Sequence, residues 1–361
     1  MHSGVVEFGG ECDPREVGLD AARLGTAIEQ VRSRRGVAQL CVIKDGRVVV
    51  DRSFGCAPES LFWLFSASKP YVAILVHQLV ESGVLHLDDE VAAYWPQFAG
   101  EGKDGITVRD VLRHRSGLTT VGSYLSDVRA MSDWDRSLRR IEQARRTYAI
   151  GTVAYSPLAS GFVLGELVQR ITRHPLPDVL REAVLGPLGV HNTYLGQPSE
   201  LWGRQVPLKV SGVTGPVVQS ILNRRSTREA VIPAGGVSTT ARDLAELYLM
   251  LLRGGIGTSG RVLRPESIAA AVTPTSEGEV DRWAQLPIRW GQGFQLARPD
   301  SAFGQLSSPR TFGHNGSNCC IGWADPDRQL AYAYLTDHLG RGPAERAHHA
   351  AVADRVLAAA G

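Results

Sequence analysis

The stretch Phe65-Ser66-Ala67-Ser68-Lys69-Pro70 runs directly into Tyr71-Val72-Ala73-Ile74-Leu75-Val76, and its reading organises the rest of the chain. The apolar run predicts a buried helix with Ser66 at its start and Lys69 three residues later. Residues i and i+3 share a helix face, so the two side chains can meet. Unpaired N–H groups at a helix N-terminus carry partial positive charge, which favours a serine alkoxide or an oxyanion there. A serine hydroxyl becomes a useful nucleophile only when a neighbour takes its proton, and a desolvated lysine can do so. The same residues also read as an N-cap followed by a snorkelling lysine. Apart from Ser66, Ser68, Lys69 and Pro70, everything from Leu61 to Val76 is apolar or aromatic. Lys69 is therefore expected to be at least partly buried, which is rare for a lysine without a task. Only Lys44, Lys69, Lys103 and Lys209 are lysines among the 39 basic residues, so one in an apolar segment is hard to dismiss as filler.

With 361 residues the chain can bury a substantial core, as one large domain or two interleaved ones. Hydrophobic content of 43% and charged content of 21% describe a globular protein, not a disordered one. A formal charge of +2 argues against nucleic-acid and anionic-membrane partners. Met1-His2-Ser3-Gly4-Val5-Val6-Glu7 lacks a secretory pattern. No segment approaches the ~20 apolar residues that span a bilayer, so a cytoplasmic location is expected. The five cysteines have no CxxC spacing and read as small buried side chains, so neither a metal nor a cofactor is expected.

Residues 20–34, with Asp20 as cap, predict an amphipathic helix. Val37 to Ile43 and Val48 to Phe54 predict strands around a Lys44-Asp45-Gly46-Arg47 hairpin turn. Thr107 starts a short helix, expected to stop at Gly117, and Leu158 through Arg173 forms the clearest helix of a helical middle third. Residues 196–234 read as a long loop, and 273–311 as a second irregular region. A helix over Ala241 to Leu252 follows three competing caps, Ser238, Thr239 and Thr240. Strands are expected over Thr311 to His314, Cys319 to Ala324 and Gln329 to Thr336, and a last helix over Arg346 to Ala360. The fold class is α+β: an antiparallel sheet from both chain ends, flanked by helices, with a mainly helical insertion. The sheet domain is expected to comprise residues 1–60 and 230–361. The helical domain would be 61–229, with the site between the two.

Three further pieces stand in a telling order. His114-Arg115-Ser116-Gly117-Leu118 follows the serine segment, Tyr155-Ser156-Pro157 precedes the 158–173 helix, and His314-Asn315-Gly316-Ser317 sits near the C-terminus. Together with Pro187-Leu188-Gly189-Val190, the run Gly235 to Leu244 and Gly322-Trp323, this chain resembles the serine β-lactamase and penicillin-binding-protein superfamily. It is most similar to the class C branch, which includes family VIII carboxylesterases and related acyltransferases. The resemblance implies a β-lactamase/transpeptidase-like fold with Ser66 as the acylated nucleophile and Lys69 as its proton-handling neighbour. It makes Tyr155 the second base, its phenol pKa lowered by the lysine cation. The backbone N–H groups of Ser66 and Ser317 would form the oxyanion hole. His314, Asn315 and Gly316 would bind substrate, Gly316 by leaving room along the strand edge.

Two departures narrow the chemistry. The third motif is usually Lys-Thr-Gly, and His314 is a poor anchor for a carboxylate near pH 7. The tyrosine motif usually ends in asparagine, and Pro157 has no side-chain donor or acceptor. Both losses favour esters over β-lactams, with a small-molecule ester or acyl compound as the partner. The expected activity is ester hydrolysis through an acyl-Ser66 intermediate, with Lys69 and Tyr155 as base and acid. Alternatives are transfer of the acyl group to an alcohol or amine, a β-lactamase or D-amino peptidase, and a non-catalytic binding protein. Trp63, Trp202, Trp283 and Trp290 are candidates to line an acyl pocket or, equally, ordinary core or surface aromatics.

Overall fold

Asp45 and Gly46 both take positive φ, 50° and 76°, as a two-residue type I′ hairpin turn requires. The structure is a computed structural model that describes residues 5–7, 10–340 and 342–361. Its main sheet contains β1 (Val5–Glu7), β2 (Ala38–Lys44), β3 (Arg47–Phe54), β4 (Arg289–Trp290), β5 (Gln295–Leu296), β6 (Phe312–Gly316), β7 (Cys320–Asp325) and β8 (Leu330–Thr336). The order is β1-β3-β2-β8-β7-β6-β5-β4, antiparallel throughout. Strands from the start of the chain thus pair with strands from its end, Ala38 facing Thr336 and Lys44 facing Leu330.

The two faces of β8 are sorted by size. Leu330, Tyr332 and Tyr334 enter one core, beneath α1 (Ala21–Ser33) and the C-terminal helix Pro343–Ala359. Ala331, Ala333 and Leu335 enter the other. There the small side chains let the helix Ala241–Leu252 lie close. Gly322 serves the same end, since a Cβ there would stand 2.5 Å from the Tyr248 ring. Each large side chain fully buried in such a core contributes roughly 1.5–3 kcal/mol.

On that second face, α2 (Lys69–Glu81) runs through the middle of the core, buried from Lys69 to His77, and packs on α3 (Ala159–Thr172). With these introduced, Ala241–Leu252 is α4 and Pro343–Ala359 is α5. Thr240 wins the competition to cap α4, accepting the Asp243 N–H at 3.2 Å. A second, three-stranded sheet has Val237–Thr239 between Phe62–Trp63 and Tyr194–Leu195, which ties the serine segment to the approach of α4.

Three expectations change. The short helix Val108–Leu112 is capped by Thr107, but it ends well before Gly117 because His114 takes φ 55°. Residues 196–234 are not one loop. They hold a 3-10 helix, Ser199–Arg204, and helices Gly215–Leu222 and Arg225–Arg228. These pieces are too short to show periodicity, and side chains hold them in place. Asn223 accepts from Leu208 N–H at 2.9 Å and donates to its carbonyl at 2.8 Å. The 273–311 region likewise contributes β4 and β5, at two residues each below any readable alternation. None of the described helices is long and apolar enough to cross a membrane.

Candidate active site

Ser66 does not begin an α-helix. It lies in a 3-10 turn, Phe65–Ser68, and α2 starts only at Lys69. The turn follows from how the segment is pinned. Leu64 N–H donates to the Val237 carbonyl at 2.8 Å, Val237 N–H donates to Ser68 Oγ at 3.1 Å, and Phe65 takes φ 50° between them. A non-glycine residue in the left-handed region carries strain, and it sits one position before Ser66. In 3-10 geometry residues i and i+3 eclipse, which aligns Ser66 with Lys69 more directly than an α-helix would.

Lys69 is buried, with three oxygens around Nζ: the Pro157 carbonyl at 2.8 Å, the Ala234 carbonyl at 3.1 Å and Ser66 Oγ at 3.3 Å. Gly161 makes the second contact possible, because a Cβ there would lie 2.5 Å from Ala234 N. Burial pulls the Lys69 amine down to about 7. A neutral amine has two N–H donors. With these on the two carbonyls, its lone pair faces Ser66 Oγ.

Tyr155 Oη is 2.5 Å from Ser66 Oγ, and Lys69 Nζ is 4.9 Å from the centre of the tyrosine ring. The expected depression of the phenol pKa is not found. Burial pushes Tyr155 above its usual value, and the hydrogen bond to Ser66 only partly opposes that. The lysine, with its pKa near 7, is only partly charged at neutral pH and is a weaker source of positive charge than the expectation required.

Three aromatic rings pack against the phenol. Tyr155 stacks on Trp290 with centroids 5.2 Å apart and planes at 5°, and meets His114 and Trp283 edge-on at 4.8 and 5.4 Å. The His114 imidazole is buried, which holds its pKa well below the usual value, so it packs here as a neutral ring. Behind the rings lies a residue the sequence did not reveal. Asp281, fully buried, accepts from the backbone N–H groups of Tyr155 (3.0 Å), Trp283 (3.0 Å) and Ala284 (2.9 Å) and from Trp290 Nε1 (3.0 Å). One carboxylate therefore ties Tyr155 to the two tryptophans beside it.

Ser66, Tyr155, His314, Asn315 and Ser317 line one cleft of about 430 Å³. The C-terminal strand motif thus meets the serine as its order in the chain implied. Gly316 is different, and its expected role is corrected. Its missing side chain makes room for the Leu64 carbonyl, which a Cβ would approach to 2.0 Å, rather than for substrate. His314 is buried, and burial lowers its pKa to about 3. Its Nδ1 lies 2.9 Å from the Asn315 carbonyl, which can only accept. The proton is therefore on Nδ1, and Nε2 is an unpartnered acceptor. Asn315 and Asn318 exchange two hydrogen bonds, 2.7 and 3.0 Å, across the turn that holds Ser317. Of the four tryptophans, Trp283 and Trp290 line the cleft. Trp63 instead packs between Phe65 and the Arg228 guanidinium, and Trp202 packs near Arg225.

An antiparallel sheet backed by helices, with serine, lysine and tyrosine converging beside a sheet strand, defines a serine hydrolase of the transpeptidase-like class. The family described as Beta-lactamase matches residues 24–357. The esterase/β-lactamase LipL of Mycobacterium tuberculosis is 27% identical, with 85% of this chain and 80% of that protein covered. A penicillin-binding protein homologue from Caulobacter crescentus superposes with a TM-score of 0.82 at 26% identity, covering 99% of this chain and all of that one. A family VIII carboxylesterase shares the fold, with a TM-score of 0.81 at 23% identity over 97% of this chain and all of the other. The chain belongs to the β-lactamase family, within the serine β-lactamase and penicillin-binding-protein superfamily.

Proposed function

We propose that the protein hydrolyses carboxylic esters through an acyl-Ser66 intermediate. The observation that carries this reading is the surroundings of Lys69 Nζ, whose two carbonyl partners leave the third direction to Ser66 Oγ. With its pKa near 7, Lys69 is the base that takes the Ser66 proton as Oγ bonds to the ester carbonyl carbon. The carbonyl π electrons move onto oxygen, where the N–H groups of Ser66 and Ser317 donate to the oxyanion. Collapse re-forms the carbonyl and breaks the bond to the alcohol oxygen. Tyr155, still protonated, gives that oxygen its proton and regains one from the Lys69 ammonium. Water then attacks the acyl carbon, its proton passes to the same pair of groups, and Ser66 leaves reprotonated.

The preference for esters rests on His314 and Pro157. A neutral, buried imidazole whose unpartnered nitrogen can only accept gives a substrate carboxylate nothing to bind. Pro157 offers no side-chain amide, and its carbonyl is committed to Lys69. The name of the Mycobacterium tuberculosis relative, an esterase/β-lactamase, carries both activities, so the preference rests on His314 and Pro157 alone.

Incubation with p-nitrophenyl esters, followed by chromophore release and intact-protein mass, tests the reading. The expected result is release with a transient acyl adduct, both abolished in Ser66→Ala. Full turnover by Ser66→Ala would refute the assignment of the nucleophile. Efficient hydrolysis of nitrocefin would refute the preference for esters.

A further inference from the structure

The two sides of the cleft differ in chemistry. On the strand-edge side stand Asn315, Ser317 and Asn318. Elsewhere the lining holds the charged Arg298, Asp300 and Arg346 and also an apolar cluster, the wall of Tyr124, Trp283, Leu286, Pro287 and Ile288. Rings connect the catalytic centre to this wall. Tyr155 contacts Trp283 at 5.4 Å, and Trp283 contacts Tyr124 at 6.1 Å. Trp283 and Leu286 keep 37% and 38% of their surface open, so the wall has apolar area left to cover.

The wall is also built in advance. Asp281 holds the backbone of Trp283 and Ala284 with the carboxylate that holds Tyr155. Arg298 donates to the Pro287 carbonyl at 2.9 Å, and Ser276 donates to that of Ile288 at 2.8 Å. A surface fixed in this way costs little to order when a ligand covers it.

Position then decides which part of an ester meets it. The group that receives a proton from Tyr155 Oη is the departing alcohol oxygen, so the alcohol carbons begin beside the Tyr155 ring. From there the neighbouring surface is Trp283, then Leu286 and Ile288. We infer that this wall is a subsite for an apolar alcohol, so that the enzyme selects esters by the size of an alkyl or aryl leaving group. The inference rests on Tyr155 as the acid in ester cleavage, and it adds which half of the substrate is recognised.

Two matched series test it, with acid release followed by pH-stat. One keeps the acetyl group and lengthens the alcohol from ethyl to octyl. The other keeps ethanol and lengthens the acyl chain. The expected result is that kcat/KM rises about twofold per alcohol methylene, below the roughly fourfold of full burial because the wall is partly open. Leu286→Ser and Trp283→Ala should at least halve that slope and leave the acyl slope unchanged. Product inhibition gives a second readout. 1-Hexanol should inhibit about sixteenfold better than ethanol in the parent enzyme and at most about fourfold better in Leu286→Ser, an exposed position where folding is not at stake.

Substitutions that flatten the acyl series instead would make the wall an acyl subsite and overturn the inference. Turnover with a flat alcohol series in the parent enzyme would overturn it while sparing the ester hydrolase reading. No turnover and no Ser66 adduct in either series would overturn both.

Discussion

Lys69 and Lys103 are both almost fully buried, and each gives two N–H bonds to main-chain carbonyls. Lys69 donates to Pro157 and Ala234, at 2.8 and 3.1 Å, and Lys103 to Glu142 and Ala144, at 2.9 and 2.8 Å. Around Lys69 the remaining direction holds Ser66 Oγ, whereas Lys103 faces the Phe98 ring, 5.6 Å from its centroid. Burial lowers the pKa of both. At Lys103 the charges of Glu101, Asp104 and Glu142 push back, while at Lys69 burial acts alone. The clamp is the same, so in the proposed mechanism the third neighbour and the local charge separate a proton acceptor from a structural pin.

The largest effect should come from removing the acceptor. Lys69→Met is expected to slow acylation about a thousandfold, within the range for a lost general base, with the far-UV spectrum unchanged. Lys69→Arg should be nearly as slow, since a guanidinium cannot give up its proton in the working range. Recovery of activity in the arginine variant, measured by adduct formation, would make Lys69 an electrostatic partner instead of a base.

A second test needs no mutation. In the proposed mechanism the neutral amine is the active form, so kcat/KM should rise about tenfold per pH unit below 7 and level off above it. A flat profile between pH 5.5 and 8.5 would erase the distinction between the two lysines.

The reciprocal experiment is Lys103→Met, which strands two buried carbonyls. Unfolding in urea should show a loss of about 2–4 kcal/mol, while turnover per folded molecule stays within about twofold of the parent. Smallest is Phe98→Leu, which removes the ring facing Lys103 at a cost of about 1 kcal/mol. A Lys103 variant that folds normally but loses activity would show that the second clamp reaches the site.

The sequence argument that singled out Lys69 was burial in an apolar run, and Lys103 marks its limit. Glu101-Gly102-Lys103-Asp104 looks like a solvated turn, yet its lysine is as buried as Lys69. Burial alone did not single out the candidate site; the order of Ser66, Tyr155 and His314 pointed to residues that line one cleft. The sheet was legible for a local reason, since the 38–54 hairpin and the 312–336 strands carry their turns and apolar runs in the text itself. Asp281 was not legible. It lies in a stretch without periodicity and meets Tyr155 across 126 positions of chain. The direction of the Tyr155 shift was misread because a motif names neighbours but not how dry they are.

The contact between Gly316 and the Leu64 carbonyl has a mechanical consequence. At the serine, the gap between sheet and helices is set by atoms already touching, and repulsion rises steeply there. Farther out, the wall from Trp283 to Ile288 is held by hydrogen bonds with Asp281, Arg298 and Ser276. The cleft keeps its gauge by contact at the root and by directional bonds at the rim. An exposed side chain such as Leu286 can therefore change what the rim grips without altering the spacing at the serine.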